Sequence, residues 1–363
     1  MSSRLQHSPS NSSYTDSPSL SANNSENDTV LIAKKMSNVS LEEREGRQQA
    51  LDRLELSKTV GTGSYGRVLL VRDRETSVYH ALKIFSITHV VQSRQTEHVK
   101  SEKEILAAIK HPFIVKLHWT HHSEQFLYML LDYLPGGELF TYMRRKGSFD
   151  LKTSIFYAAE ITSALEYLHS LQIVYRDLKP ENILLDAEGH VKIVDFGFAK
   201  KIMNKTFTTC GTPDYLSPEL FKGTGHNKST DWWSLGILTF EMLSGATPFN
   251  PNQNESEIPG KVLSGKISWP RTIDESTKAF IKKLLHQNPD KRLGAGRNGS
   301  KEVKEQPWFS SIKWDDVYHR KLKPPIVPDV KHPGDTTNFD EYKEDWRSTP
   351  FASDRQLELF QDF

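Results

Sequence analysis

The stretch VYRDLKPENILL, Val174 to Leu185, concentrates Arg176, Asp177, Lys179, Glu181 and Asn182 between apolar flanks. Apolar residues on both sides of a polar middle describe a loop pinned between buried strands, the usual scaffold for catalytic groups. Its chemistry depends on what else the chain supplies. GTGSYGRV, Gly61 to Val68, can close its backbone on phosphates where a side chain at Gly61, Gly63 or Gly66 would obstruct, although a plain hairpin turn reads the same way. HALKI then places Ala81 and Lys83 on a half-buried strand, where an ammonium is costly unless an anion meets it. The alternative is a lysine turned to solvent. A partner carboxylate would come from Glu97, Glu102 or Glu104, and spacing alone does not choose among them. VDFG, Val194 to Gly197, follows the strand-like HVKIV, so Asp195 is either a divalent-metal ligand at a strand end or a turn cap.

The elements that position these groups divide the chain. A length of 363 residues exceeds what one core usually covers, so two lobes are expected. A composition 36% hydrophobic with a net charge of +1 fits a globular protein and argues against a general nucleic-acid binder. The single cysteine, Cys210, excludes an internal disulfide and suits a reducing compartment. No apolar run approaches the roughly 18 residues of a membrane span, and Ser2 after Met1 argues against myristoylation. The expected location is cytoplasmic, with the nucleus as a second compartment.

Residues 1–40 are Ser- and Asn-rich and expected to be disordered; spaced leucines over 41–55 predict a short helix. From Leu56 to Ile87 β-branched residues alternate with polar ones, predicting antiparallel strands, and Gln95 to Ile109 has helical spacing. Strand-like alternation returns over Phe113 to Leu134, and helices dominate from Leu139, strongest over Tyr157 to His169 and Trp232 to Leu243. The lobes are therefore expected at 56–134 and 135–309, followed by a tail over 310–363 whose KLKPPIVPDV is too proline-rich for helix or central strand.

Taken in order, the glycine-rich loop, strand lysine, helix glutamate, RDLKPEN, DFG and a later PE match the signature set of protein kinases. YLPGGELF, DFGFAKKI, TCGTPDYLSPE, DWWSLG and the tail PGDTTNFDEY to FQDF resemble the basophilic Ser/Thr group, nearest the cyclic-AMP-dependent catalytic subunits. That resemblance implies an α+β bilobal kinase fold: a small antiparallel-sheet lobe with one main helix, a larger helical lobe and a tail packing on both. It implies ATP with Mg²⁺, for which Mn²⁺ can substitute, and transfer of the γ-phosphoryl to Ser/Thr hydroxyls preceded by basic residues.

Roles follow the resemblance position by position. Asp177 orients the acceptor hydroxyl, Lys179 neutralises the transferring phosphoryl, and Asn182 with Asp195 holds the metal ions. Lys83 binds the outer phosphates and pairs with Glu102. The glycine-rich loop contributes Gly61, Thr62, Gly63, Ser64, Tyr65 and Gly66. Adenine lies against Val68, Ala81, Leu131 and Leu184, read by backbone groups near Asp132 and Leu134, with Phe339 of the tail completing the pocket. Glu138, Glu181 and Glu241 meet substrate arginines, Glu138 also touching the ribose, while Thr209, Pro213 and Leu216 form the following-residue pocket. Thr208 is the activation-loop phosphosite, received by His98, Arg176 and Lys200; Glu219 and Arg292 form a structural ion pair.

The implied partners are basic protein substrates, pseudosubstrate inhibitor peptides and a cyclic-AMP-binding regulatory subunit. Pro259 and Gly260 disfavour a continuous helix where that subunit docks, whereas Phe207 favours docking. Thr209 stands where the relatives carry an apolar residue. A pseudokinase scaffold is the rival reading, but Lys83, Asp177, Asn182 and Asp195 are all present. A small-molecule phosphotransferase is the other, and CGTPDYLSPE instead suits an extended peptide.

Overall fold

The computed structural model describes residues 49–63, 66–208, 210–250, 254–343 and 349–363. The expected leader, most of the expected 41–55 helix, Ser64, Tyr65, Thr209 and the tail residue Ser348 lie outside them. The described residues up to 361, together with Phe363, fall in one compact unit.

Residues 49–52 are helical, and β1 (Leu54–Gly63) follows at once, so the strand begins inside the stretch expected as helix. Its leucines alternate with polar residues, and Leu54, Glu55 and Leu56 pair with Asp73, Arg72 and Val71 of β2 (Gly66–Asp73). The Asp73 carboxylate then makes the turn to the next strand by accepting the N–H groups of Glu75 and Thr76 at 2.8 and 3.0 Å. With β3 (Tyr79–Ser86), β4 (Leu117–His122) and β5 (Phe126–Asp132) the sheet is antiparallel in the order β1-β2-β3-β5-β4. Between β3 and β4 run a short helix, α1 (Ile87–Gln92), and α2 (Thr96–Ala108), which buries Val99, Ile105 and Leu106 with one carboxylate, Glu102.

Past β6 (Gly137–Glu138) helices take over: α3 (Leu139–Lys146) and the 20-residue α4 (Leu151–Ser170), whose Asp150 cap accepts the Thr153 N–H at 2.8 Å. Short strands carry the loops on α4: β7 (Ile173–Val174), β8 (Ile183–Leu185), β9 (Val191–Ile193) and β10 (Lys200–Lys201). Next come α5 (Pro218–Lys222) and α6 (Ser229–Ser244), whose Trp232 and Trp233 are completely buried. Apolar side chains from both lobes join one core. No helix among the described residues is long and apolar enough to cross a membrane.

Pro259 and Gly260 do not prevent a helix. A 3₁₀ turn at Glu255–Glu257 leads into α7 (Ile258–Ser264), with Pro259 in its first turn, where the missing N–H costs nothing.

The tail's proline-rich segment has neither helix nor strand. Farther on, Tyr133 donates its hydroxyl to Asp335 O, and Phe339 stacks on the Tyr133 ring with centroids 5.8 Å apart. At the end Phe360 and Phe363 are buried beneath Lys100 and Lys103 of α2, and Thr120 of β4 donates to Phe363 O at 2.6 Å. Those contacts are to the small lobe; Asn338 Nδ2 donates to Pro135 O at 3.0 Å and Arg320 Nη2 to Asp186 Oδ2 at 2.5 Å in the large lobe, so the tail touches both.

Glu219 of α5 and Arg292 form a two-pronged ion pair at 2.7 and 2.9 Å, with both side chains almost wholly buried. Burial works against the Glu219 charge, and Arg292 outweighs it, holding the pKa below the ordinary glutamate value. Such a carboxylate stabilises the fold above its unfolded pKa and loses that contribution as the pH falls. Removing either partner strands a charge inside the protein. Arg292→Met is therefore expected to lower unfolding free energy in denaturant titrations at neutral pH by about 3–5 kcal/mol.

Candidate active site

A cleft of about 450 Å³ opens between the five-stranded sheet and the helical lobe. Every described residue expected around the nucleotide lines it: Gly61, Thr62, Gly63, Gly66, Val68, Ala81, Leu131, Asp132, Leu134, Glu138, Leu184 and Phe339. Lys83, Glu102, Asp177, Lys179, Glu181, Asn182 and Asp195 share the same walls. Gly66 cannot be replaced there, because a Cβ would fall 2.0 Å from the Ile84 carbonyl oxygen on the neighbouring strand.

Lys83 lies inside β3 and extends its ammonium to Glu102 at 2.6 Å and to Asp195 at 3.3 Å. The open choice among three glutamates is settled by the face of α2: Glu102 points inward with Val99, Ile105 and Leu106. Burial opposes the lysine's charge, but Asp195 and Glu102 outweigh it and raise its pKa above the ordinary value. Asp195 is lowered chiefly by Lys83.

Across the cleft, Asp177 Oδ2 accepts from Asn182 Nδ2 at 2.6 Å and lies 3.2 Å from the Lys179 ammonium. Asn182 Nδ2 also donates to Asp177 O, and Lys179 donates to Thr212 Oγ1 at 2.9 Å. Burial raises the Asp177 pKa against the pull of Lys179. Arg176 and Asp195 both have left-handed backbones, with φ of 70° and 55°. That conformation is uncommon for side chains with a Cβ and collects at functional sites. Asp231 at the start of α6 holds the first in place: its carboxylate accepts the N–H groups of Tyr175 and Arg176 at 3.0 and 2.8 Å, and His169 Nε2 lies 2.7 Å away.

Oxygen donors suit a hard cation. With both Asn182 amide hydrogens directed at Asp177, its carbonyl oxygen is left to ligate, and the Asp195 side chain, 52% exposed, faces the cleft. These two residues fit a divalent metal ion.

Glu138, Glu181 and Glu241 form an acidic group beside the loop. One Glu181 oxygen is buried with no hydrogen-bond partner among the described residues. Burial pushes the Glu241 pKa up to about 7, aided by Glu181 and Asp214, while the Tyr215 hydroxyl donates to it. Burial and Glu181 likewise raise Glu138. On the opposite side stand the bases. Arg176 Nε donates to Phe198 O at 2.6 Å, its Nη1 is buried without a partner among the described residues, and Lys200 reaches Thr206 at 3.4 Å. Burial, Arg176 and Lys200 together depress the pKa of His98. Thr208 is exposed in the adjoining segment. Pro213 opens a 3₁₀ turn and Leu216, just past it, is buried.

Residues 54–309 match the family model described as protein kinase domain. The chain belongs to the protein kinase family. As a protein serine/threonine kinase it uses ATP and a divalent metal. It is 54% identical over 318 residues to cAMP-dependent protein kinase catalytic subunit 3 of Drosophila melanogaster, covering 87% of this chain but 54% of that protein. Against the human catalytic subunit PRKX it is 52% identical over 306 residues, 84% of this chain and 85% of that one. A Caenorhabditis elegans catalytic-subunit-like protein is 48% identical over 314 residues, covering 86% and 79% of the two chains.

Reading the sequence missed the supports of this kinase's site. Asp231, itself paired with His169, holds the loop at Arg176, while Tyr215 and Asp214 act on Glu241 of α6, and the only signal for Asp231 was its place in the matched DWWSLG. Lys83→Met should lower kcat by roughly 100- to 1,000-fold, the usual effect of deleting one fixed charge that faces a transition state, with peptide KM little changed in steady-state assays.

Proposed function

We propose that this kinase transfers the γ-phosphoryl of magnesium ATP to serine and threonine hydroxyls that follow basic residues. The observation that carries the reading is the convergence of Lys83, Asp177, Lys179, Asn182 and Asp195 on one cleft beside the acidic trio. Phosphoryl transfer spreads charge over equatorial oxygens, so positioned cations and an in-line hydroxyl are the main requirements. Lys83 meets the outer phosphates, held by Glu102. Asp177 accepts the hydrogen bond of the acceptor hydroxyl; as a carboxylate it is a weak base, and it acts mainly by orientation, with proton-transfer help of about 100- to 10,000-fold. Lys179, tied to Thr212, neutralises the moving group. Asn182 and Asp195 would hold the divalent ion, which when bound would supply further positive charge at the phosphates.

Glu138, Glu181 and Glu241 select arginine before the acceptor, because a guanidinium offers paired donors to each carboxylate. The partnerless Glu181 oxygen supports this reading. Pro213 and Leu216 receive the following residue. The relatives' names, cAMP-dependent catalytic subunits, support regulation by a cyclic-AMP-binding subunit; pseudosubstrate peptides that carry arginine would occupy the same acidic group. Phe207, 70% exposed beside the site, and the intact α7 offer a docking surface. The lone cysteine and near-neutral charge suit the cytoplasm and nucleus. Phosphorylation of an Arg-rich peptide library, with and without a cyclic-AMP regulatory subunit, tests both halves: transfer without basic preference refutes the substrate reading, and no cyclic-AMP-sensitive inhibition refutes the regulatory one.

Thr208 carries the activating phosphate, which brings about −1.5 to −2 charges to Arg176, Lys200 and His98. The partnerless Arg176 Nη1 supports that assignment. Thr208→Ala should lower kcat/KM at least about 100-fold, the worth of two charge-assisted hydrogen bonds. Equal activity of phosphorylated and unphosphorylated wild type would refute it.

Glu241 has to lose its proton before it pairs with arginine. With its pKa pushed up to about 7, KM for an arginine-containing peptide should be about tenfold higher at pH 6 than at pH 8. Glu241→Gln should flatten that profile.

A further inference from the structure

Glu160 of α4 and His190, just before β9, form a second buried pair that the chemistry above does not use. Glu160 Oε1 lies 2.6 Å from His190 Nδ1, and Oε2 accepts the Val191 N–H at 3.0 Å. Each residue is 2% exposed, and the imidazole sits between the rings of Phe113 and Phe156, with centroids 6.3 and 6.0 Å away. In apolar surroundings such a pair is a poor source of stability, because well-packed apolar replacements are often neutral or better. What a buried polar pair can add is a single register.

The hairpin beside it needs one. β8 and β9 pair only through Ile183–Ile193, Leu184–Lys192 and Leu185–Val191, and a slip of one residue would turn Leu184 away from the cleft. Asn182 lies just before β8 and Asp195 just after Val194, whose N–H donates to Asn182 O at 3.0 Å. The hairpin register therefore sets the separation of the two metal-binding side chains. At the closed end Asp186 Oδ1 accepts the N–H groups of Glu188, Gly189 and His190 at 3.0, 3.0 and 3.1 Å. The next N–H in line, that of Val191, goes to Glu160. Anchoring thus passes from the turn into the strand and ties it to α4.

We infer that Glu160 and His190 are positioning residues for the Asn182–Asp195 pair, acting through the register of β8 and β9. The inference rests on the reading that those two residues hold the divalent ion. Glu160→Gln still accepts from Val191 and can donate to His190, whereas Glu160→Ala leaves both without a partner.

The test uses the full chain and calorimetric binding of a non-hydrolysable ATP analogue, with and without Mg²⁺, alongside hydrogen exchange at the Val191 amide. Glu160→Ala is expected to weaken the Mg²⁺-dependent gain in affinity about tenfold and speed Val191 exchange. Metal-free binding and peptide KM should stay within about twofold, and Glu160→Gln should restore the gain. Should Glu160→Ala unfold, His190→Phe, which keeps the ring volume, carries the same expectation for the Mg²⁺ gain. An unchanged gain in a folded variant, or equal loss in Glu160→Gln and Glu160→Ala, would overturn the proposal. If Asp195→Ala also leaves the gain unchanged, the metal assignment itself fails, and the two failures are told apart.

Discussion

The ammonium of Lys83 between two carboxylates is the constraint on which the site depends. A lysine inside β3 has to be met by anions, and the chain brings them from opposite lobes: Glu102 from α2 and Asp195 from the end of the β8–β9 hairpin. At 4 Å and an effective dielectric constant of 20, each such contact is worth about 4 kcal/mol before desolvation is counted. One lysine thus reports on the placement of a small-lobe helix and a large-lobe strand together. A displacement of either element strands a charge, so the cleft has a preferred closed geometry even before a nucleotide enters.

Opposite Lys83 the same end is reached through backbone strain. Left-handed φ at Arg176 and Asp195 costs of order 1–3 kcal/mol per residue and persists only where the surroundings over-determine it. Asp231 does so at Arg176 by taking two consecutive N–H groups, and Lys83 with the Gly197 N–H, at 3.3 Å, does so at the Asp195 side chain. Lys83 and Gly197 line the cleft themselves, whereas Asp231 lies one layer below it. Glu219 with Arg292 ties α5 to the segment that follows the large-lobe helices by a buried ion pair.

Much of this was legible in the chain. Alternation gave the sheet, helical spacing gave α2, α4 and α6, and ordered motifs named the cleft residues, because groups that face a ligand are restricted in type. What could not be read were interactions whose partners are far apart and of ordinary type. Spacing left Glu97, Glu102 and Glu104 equivalent until the apolar face of α2 chose one. Nothing local marks Glu160, and only the motif DWWSLG marks Asp231, since an acid at a helix surface and an acid beneath a loop look alike in one dimension. Pro259 acts through its turn: a 3₁₀ turn precedes it in place of a longer α-helix, and it is tolerated in the first turn of α7. Leu54 was assigned to a helix because leucine spacing over a few residues fits both periods, and pairing with Asp73 decided for the strand.

A net charge of +1 conceals a strongly divided field. Around Asp177 the acids Glu138, Glu181 and Glu241 gather on one side, and His98, Arg176 and Lys200 on the other. Each group is incomplete by itself: a Glu181 oxygen and an Arg176 nitrogen are buried without partners among the described residues, and such atoms are costly until a counter-charge arrives. On the function proposed above, the acids are completed by substrate arginine and the bases by phosphate on Thr208. Arg176 links the second event to catalysis, because it adjoins Asp177 and shares the strained loop held by Asp231. A phosphate that engages its free nitrogen would therefore stiffen the backbone carrying Asp177. In this way modification of an exposed threonine can act on the orientation of the acceptor hydroxyl without touching it.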